Sequence, residues 1–146
     1  MDAVTPATAL VEKRRTITLT NRAPISIIED EWPVIAQGQC GEDAPDGSPY
    51  QDWDITIRVR VQKKGGHRAL IHANYKYHCD ADEEWHQARV GRLMDVASSR
   101  SDHEVWKTIL EVGDELRERM QPEGMRKYVT YALDACFAQL PPRDSF

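Results

Sequence analysis

An α+β domain, with an antiparallel sheet of three or four strands packed by C-terminal helices, is the fold class that three observations predict. Two alternating runs at 54–62 and 68–79 read as a central β-hairpin. Apolar residues beyond position 100 recur at steps of three and four, and strands precede the long helices along the chain. In the first run Ile55, Ile57, Val59 and Val61 share one face, while Thr56, Arg58, Arg60 and Gln62 share the other. In the second, Ala69, Ile71, Ala73, Tyr75, Tyr77 and Cys79 oppose Leu70, His72, Asn74, Lys76 and His78. A slip of one residue would set a buried apolar row against a solvated polar one, so odd positions must pair with odd. A three-residue loop, Lys64-Gly65-Gly66, meets that demand, with a glycine free to take positive φ. Val61 then faces Ala69, Ile57 faces Ala73 and Ile55 faces Tyr75; on the polar face Arg58 lies beside His72, Arg60 beside Leu70 and Thr56 beside Asn74.

Residues 1–13 mix Ala, Thr and Pro with little periodicity and are expected to form a flexible tail, leaving a single domain over 14–146. Arg15 to Thr20 alternates and reads as a first strand, broken by Asn21-Arg22-Ala23-Pro24. Ile25 to Ile28 is a second short strand candidate. Glu29-Asp30-Glu31 ahead of Trp32-Pro33-Val34-Ile35-Ala36 reads as the acidic first turn of a short helix that Gly38 would end. Gln39 to Asp52, rich in Gly, Pro and carboxylates, is a surface loop.

After the hairpin, Asp80-Ala81-Asp82-Glu83 offers a helix cap followed by a carboxylate three positions on, predicting a helix over about 82–98. Ser101-Asp102-His103-Glu104 is a second cap. Val105, Ile109, Val112, Leu116 and Met120 then define a helix over about 102–120, which Pro122 stops. Met125, Val129, Ala132, Cys136 and Leu140, widened by Tyr128, Leu133 and Phe137, define a third over about 123–140. In this arrangement the odd face of the hairpin meets the helices and the even face looks outward.

The 146 residues suffice for one core, and 40% hydrophobic content suits a globular chain. A formal charge of −5 argues against general affinity for nucleic acid or anionic membranes, although local patches override a net value. Cys40, Cys79 and Cys136 are widely spaced and odd in number, which fits reduced thiols in a cytoplasmic protein. No apolar run approaches the ~20 residues of a membrane helix, and Met1-Asp2-Ala3-Val4 lacks the order of a secretory signal.

Two surfaces are candidates for partner binding. One is the even hairpin face, where Arg58, Arg60, His72 and Lys76, with Asn74, could hold phosphates or carboxylates; the bland alternative is a solvated face or one covered by the acidic loop. The other is the flank of the 102–120 helix, where Glu111, Asp114, Glu115 and Glu118 follow Glu104 in an acidic stripe and Trp106, at the edge of the apolar stripe, would be an anchor if exposed; the alternatives are ordinary solubility, with Glu115 pairing to Arg119, and for Trp106 a place in the core, the favoured reading. His78, Cys79 and His86 among acidic residues raise a metal site, but adjacent strand residues point to opposite faces and no close Cys or His pair is present, so no metal and no cofactor are expected. Cys136 and Cys79 fall on buried positions, Cys40 in the acidic loop would be dulled by carboxylates, and no serine sits in a nucleophile turn. No catalytic residues are assigned, and a non-enzymatic protein is expected.

The segment Thr16 to Ile27 followed by Glu31 to Ala36, with Gln87-Ala88-Arg89-Val90-Gly91 and Cys136-Phe137-Ala138-Gln139-Leu140-Pro141, resembles small uncharacterised accessory proteins of phages and integrative elements of proteobacteria. The resemblance implies a protein that binds and blocks a host machine, anti-CRISPR inhibitors being one such class, with a CRISPR effector subunit as partner. The alternative is a small nucleic-acid-binding regulator that uses the basic hairpin face.

Overall fold

The computed structural model describes residues 13–63, 68–79, 83–96 and 101–141, the side chains of 101–103 excepted. The expected tail lies outside the described residues but for Lys13, as do the Lys64-Gly65-Gly66 turn and Asp80 to Asp82. Strands β1 (Arg14–Ile17) and β2 (Ile25–Ile28) pair as a small antiparallel sheet. Strands β3 (Val34–Gly41), β4 (Trp53–Val61), β5 (Arg68–Cys79) and β6 (Glu84–Asp95) form a four-stranded antiparallel sheet in chain order. Helices α1 (Ser101–Arg119) and α2 (Val129–Gln139) follow, with a 3₁₀ helix at Glu123–Tyr128 leading into the second.

The β4–β5 register is the one side-chain parity demands: Ile55 pairs with Tyr75, Ile57 with Ala73, Val61 with Ala69, Arg58 with His72 and Arg60 with Leu70. Ile55, Ile57, Val59, Ile71 and Tyr75 are buried against Val105, Ile109, Val112 and Leu116 of α1 and Val129, Ala132 and Cys136 of α2. Each large aliphatic side chain so buried contributes roughly 1.5–3 kcal/mol. The Tyr75 hydroxyl donates to the Gln121 carbonyl at 2.6 Å, tying the sheet to the connection between the helices.

Two expected helices are strands. The segment from Trp32 to Ala36 follows a 3₁₀ turn at Glu29–Glu31 and leads into β3, where Ala36, Gly38 and Cys40 point inward in strict alternation. Gly38 does not end a helix. A Cβ there would lie 1.8 Å from the Ala132 carbonyl oxygen, so the missing side chain is what lets α2 lie directly on β3. The helix expected over 82–98 is β6 from Glu84 to Asp95, where Ala88 and Val90 are buried and Trp85, Gln87 and Arg89 exposed. Glu83, at φ 55°, belongs to the turn into β6 and not to a helix cap. Twelve consecutive pairs with β5 outweigh that local signal. Two C-terminal α-helices therefore pack on the sheet, not three, and the last begins in α form at Val129.

The even face of the sheet is only partly open. Ile17, Leu19, Ile27 and Trp32, from β1, β2 and their flanks, pack on Leu70, the one large apolar side chain in the even row of β5. The Thr20 N–H donates to the Gly91 carbonyl at 2.8 Å, and a Cβ on Gly91 would lie 2.3 Å from the Thr18 carbonyl oxygen, so the chain beyond β1 seats closely on β6. The cover is the small sheet, not the acidic loop.

Candidate functional site

Arg60 and His72 lie under that cover, with 5% and 3% of their surface exposed, so neither forms part of an outward cationic face. Arg60 donates from Nε to His72 Nε2 at 3.0 Å and from Nη1 to the Trp32 carbonyl at 3.1 Å. Burial first, and then the charges of Arg60, Arg58 and Arg15, bring the His72 pKa down to about 3, so the ring is neutral. With Nε2 accepting, its proton resides on Nδ1. Burial and the neighbouring Arg15 charge also lower the pKa of Arg58 and Arg60.

Beyond the cover the even rows reach solvent. Arg58 is half-buried and donates to Gln37 Oε1 at 2.8 Å, while Lys76 is exposed. Cross-strand pairing sets Asn74 beside Arg89, Lys76 beside Gln87 and His78 beside Trp85. A trough of about 260 Å³ runs along Thr56, Arg58, Asn74, Lys76, Gln87 and Arg89, with Asp54 in its wall. The Asp54 carboxylate accepts from Gln39 Nε2 at 2.5 Å and Thr56 Oγ1 at 2.8 Å. At the end of these rows Trp85 is 55% exposed, its ring centre 5.0 Å from that of His78. Glu42 and Asp52 lie at the same end, lining a shallow cleft with Lys76 and Trp85. Arg89 and Trp85 join the surface only because their segment is a strand; the alternation of Trp85, Gln87 and Arg89 with Ala88 and Val90 was the available signal.

The opposite side of the molecule is helical. Trp106 stacks on Phe137 with ring centres 4.3 Å apart and planes 15° from parallel, joining α1 to α2. Trp106 nonetheless stays 47% exposed and Leu110, one turn on, 49%. Asp114 and Glu118 are exposed and Glu111 half-buried. Asp114 accepts from Arg117 at 2.8 Å. Glu115 faces the other way and takes a two-pronged bond from Arg92 of β6, with Nε at 3.1 Å. That bond raises the Arg92 pKa. Arg119, expected to pair with the Glu115 carboxylate, donates to its backbone carbonyl at 3.0 Å.

Cys40 is buried in β3, not exposed in the loop, and burial ahead of Asp46 and Asp54 pushes its thiol up to about 11. It lines a cleft of about 660 Å³ with Glu42, Asp43, Trp53, Asp54 and Tyr131. Burial likewise raises Cys136 to about 11. Both thiols stay protonated near neutrality, a poor state for nucleophilic attack. His86 stacks on Tyr77 at 5.9 Å, on the face opposite His78. Among the described residues no group of three or more His, Cys, Asp or Glu side chains could hold a metal ion, and no helix is long and apolar enough to cross a membrane. Compared with protein-family models, curated proteins and solved structures, the chain matches none.

Proposed function

We propose that the protein is a non-enzymatic, cytoplasmic interaction protein of a mobile genetic element, of the anti-CRISPR type, which docks on a subunit of a host defence complex through its helical side. The observation that carries this reading is the stacked Trp106–Phe137 pair, left half-open beside an exposed Leu110. An apolar centre with an aromatic anchor and a charged rim is the anatomy of a protein interface, and Asp114 and Glu118 supply the rim. Their charge would steer a cationic partner and make association salt-sensitive. The partner class comes from the resemblance of the segments from Thr16 to Ala36, Gln87 to Gly91 and Cys136 to Pro141. The test is plating of a CRISPR-targeted phage on a host that expresses the chain, together with capture of a stoichiometric CRISPR subunit. Wild-type protein restores plaques, and the double variant Trp106→Ala/Leu110→Ala, folded by circular dichroism, does not. Unchanged plating with the wild-type chain, and no subunit recovered, would end this reading.

A second reading, a small nucleic-acid-binding regulator, is supported by Arg58, Lys76 and Arg89 on the same face as the exposed Trp85. Three cations on phosphates imply a log–log salt slope of about −2 for a single strand. A filter-binding titration at two salt concentrations tests it; absence of binding at low salt removes it.

A further inference from the structure

Between β1 and the four-stranded sheet, Arg15, Thr16, Thr18, His72, Asn74 and Arg89 line a cavity of about 150 Å³. Pockets for drug-sized ligands run to roughly 300–1,000 Å³, so this one suits a compact group. Among the described residues no carboxylate-bearing one lines it, and its side chains are rich in donors. Arg15 uses Nε on Glu29 at 2.5 Å, and a guanidinium carries four further N–H groups. His72 is neutral with its proton on Nδ1, because Nε2 accepts from Arg60 at 3.0 Å. Arg58 pairs with His72 across β4 and β5, and Arg60 is bonded to its ring, so both add positive charge beside the cavity. Two arginines, an asparagine and a histidine thus line one cavity from β1, β5 and β6, a donor set that can satisfy several oxygens of one anion.

We propose that this cavity binds a tetrahedral oxyanion of the phosphate class, free or at the end of a nucleotide. The site is independent of the helical surface around Trp106. It meets the sheet trough at Asn74 and Arg89, which line both, so a nucleotide anchored by its phosphate would extend towards Lys76 and Gln87.

The test is a titration of the full chain with inorganic phosphate at constant ionic strength, followed by amide and side-chain NMR shifts. Saturable shifts confined to Arg15, His72, Asn74, Arg89 and their neighbours are expected. Arg89→Gln weakens binding roughly tenfold, as loss of a charge-assisted bond implies, and Lys107→Gln on α1, an equal change of charge, leaves it unaltered. Asn74→Asp, which places a carboxylate in the wall, abolishes it. Uridine 5′-monophosphate against phosphate distinguishes the sources: tighter binding of the nucleotide identifies an esterified phosphate, and equal or weaker binding a free anion. Absence of saturable shifts, equal loss in Arg89→Gln and Lys107→Gln, or uridine binding as well as its monophosphate would each overturn the proposal.

Discussion

On one face of the four-stranded sheet Ile55, Ile57, Val59, Ile71 and Tyr75 meet two helices and are dry along their length. On the other, the same strands carry Thr56, Arg58, Arg60, His72, Asn74 and Lys76, covered at one end by β1 and β2 and open to solvent at the other. The first face is closed by volume, with small residues letting a helix backbone touch the strand. The second is closed by polar pairing, since Arg60 must find His72 and the Trp32 carbonyl before it can be buried. The contrast separates the part of the molecule that holds the fold from the part that has donors left over for a ligand.

The two glycines on which each cover rests give the largest way to break that contrast. At Gly38 an added Cβ would meet helix backbone at 1.8 Å, with Cys136 N at 2.5 Å, and neither α2 nor β3 can retreat without opening the core. Gly38→Ala should cost roughly 3 kcal/mol or more, at the upper end of overpacking effects. At Gly91 the obstacle is the Thr18 carbonyl at 2.3 Å, on a segment that packs through a smaller cluster. Gly91→Ala should cost about half as much, within the ordinary 1–3 kcal/mol range. Urea denaturation of the two variants measures the difference, and equal losses would mean that the small sheet is locked as firmly as the helices.

How far each face could be read in the sequence follows from the same distinction. The apolar face and the β4–β5 register were legible because parity, with a three-residue loop at Lys64-Gly65-Gly66, leaves one arrangement. β6 was not, because the carboxylates before Glu84 imitate a helix cap and the inward row of Ala88 and Val90 runs next into Arg92, which leaves the apolar alternation short. Which face β1 and β2 would cover is a long-range outcome. Its local traces were Leu70, an aliphatic side chain in an otherwise polar row of β5, and Leu93, its cross-strand partner in β6. The open half of the candidate surface, Arg89 and Trp85 above all, was hidden by the misread strand, whereas Trp106, which the helix pattern sets at the edge of the apolar stripe with a core place favoured, is half exposed.

A pH titration sharpens the comparison through His72. Its pKa falls from an ordinary 6.5 in the unfolded chain to about 3 in the fold, so below pH 6.5 the unfolded state binds more protons. Stability is therefore full above about pH 6.5 and is lost as pH falls towards 3, at up to about 1.4 kcal/mol per pH unit. Glu29, whose pKa is lowered by Arg15, acts in the same direction only below its unfolded value of 4.5. The interval from 6.5 to 4.5 thus separates His72 from Glu29. His72→Gln, whose amide oxygen can still accept from Arg60, should flatten stability over that interval. A slope that survives the substitution would place the proton uptake elsewhere.

The smallest effects belong to the two exposed tryptophans, and they separate stability from binding. Trp106→Ala removes a stacked ring from Phe137 and should cost about 0.5–1.5 kcal/mol. Trp85 is the more exposed, with its ring 5.0 Å from that of His78, so Trp85→Ala should change stability by no more than about 0.5 kcal/mol. A large aromatic held in water with so little structural return is informative if its loss is felt by a ligand. In the nucleic-acid reading, Trp85→Ala should weaken a single strand by on the order of 1–3 kcal/mol, the worth of one stacked base, while leaving thermal unfolding unchanged. A variant that unfolds early would make Trp85 a structural side chain, and one that binds as well as wild type would remove it from the surface that matters.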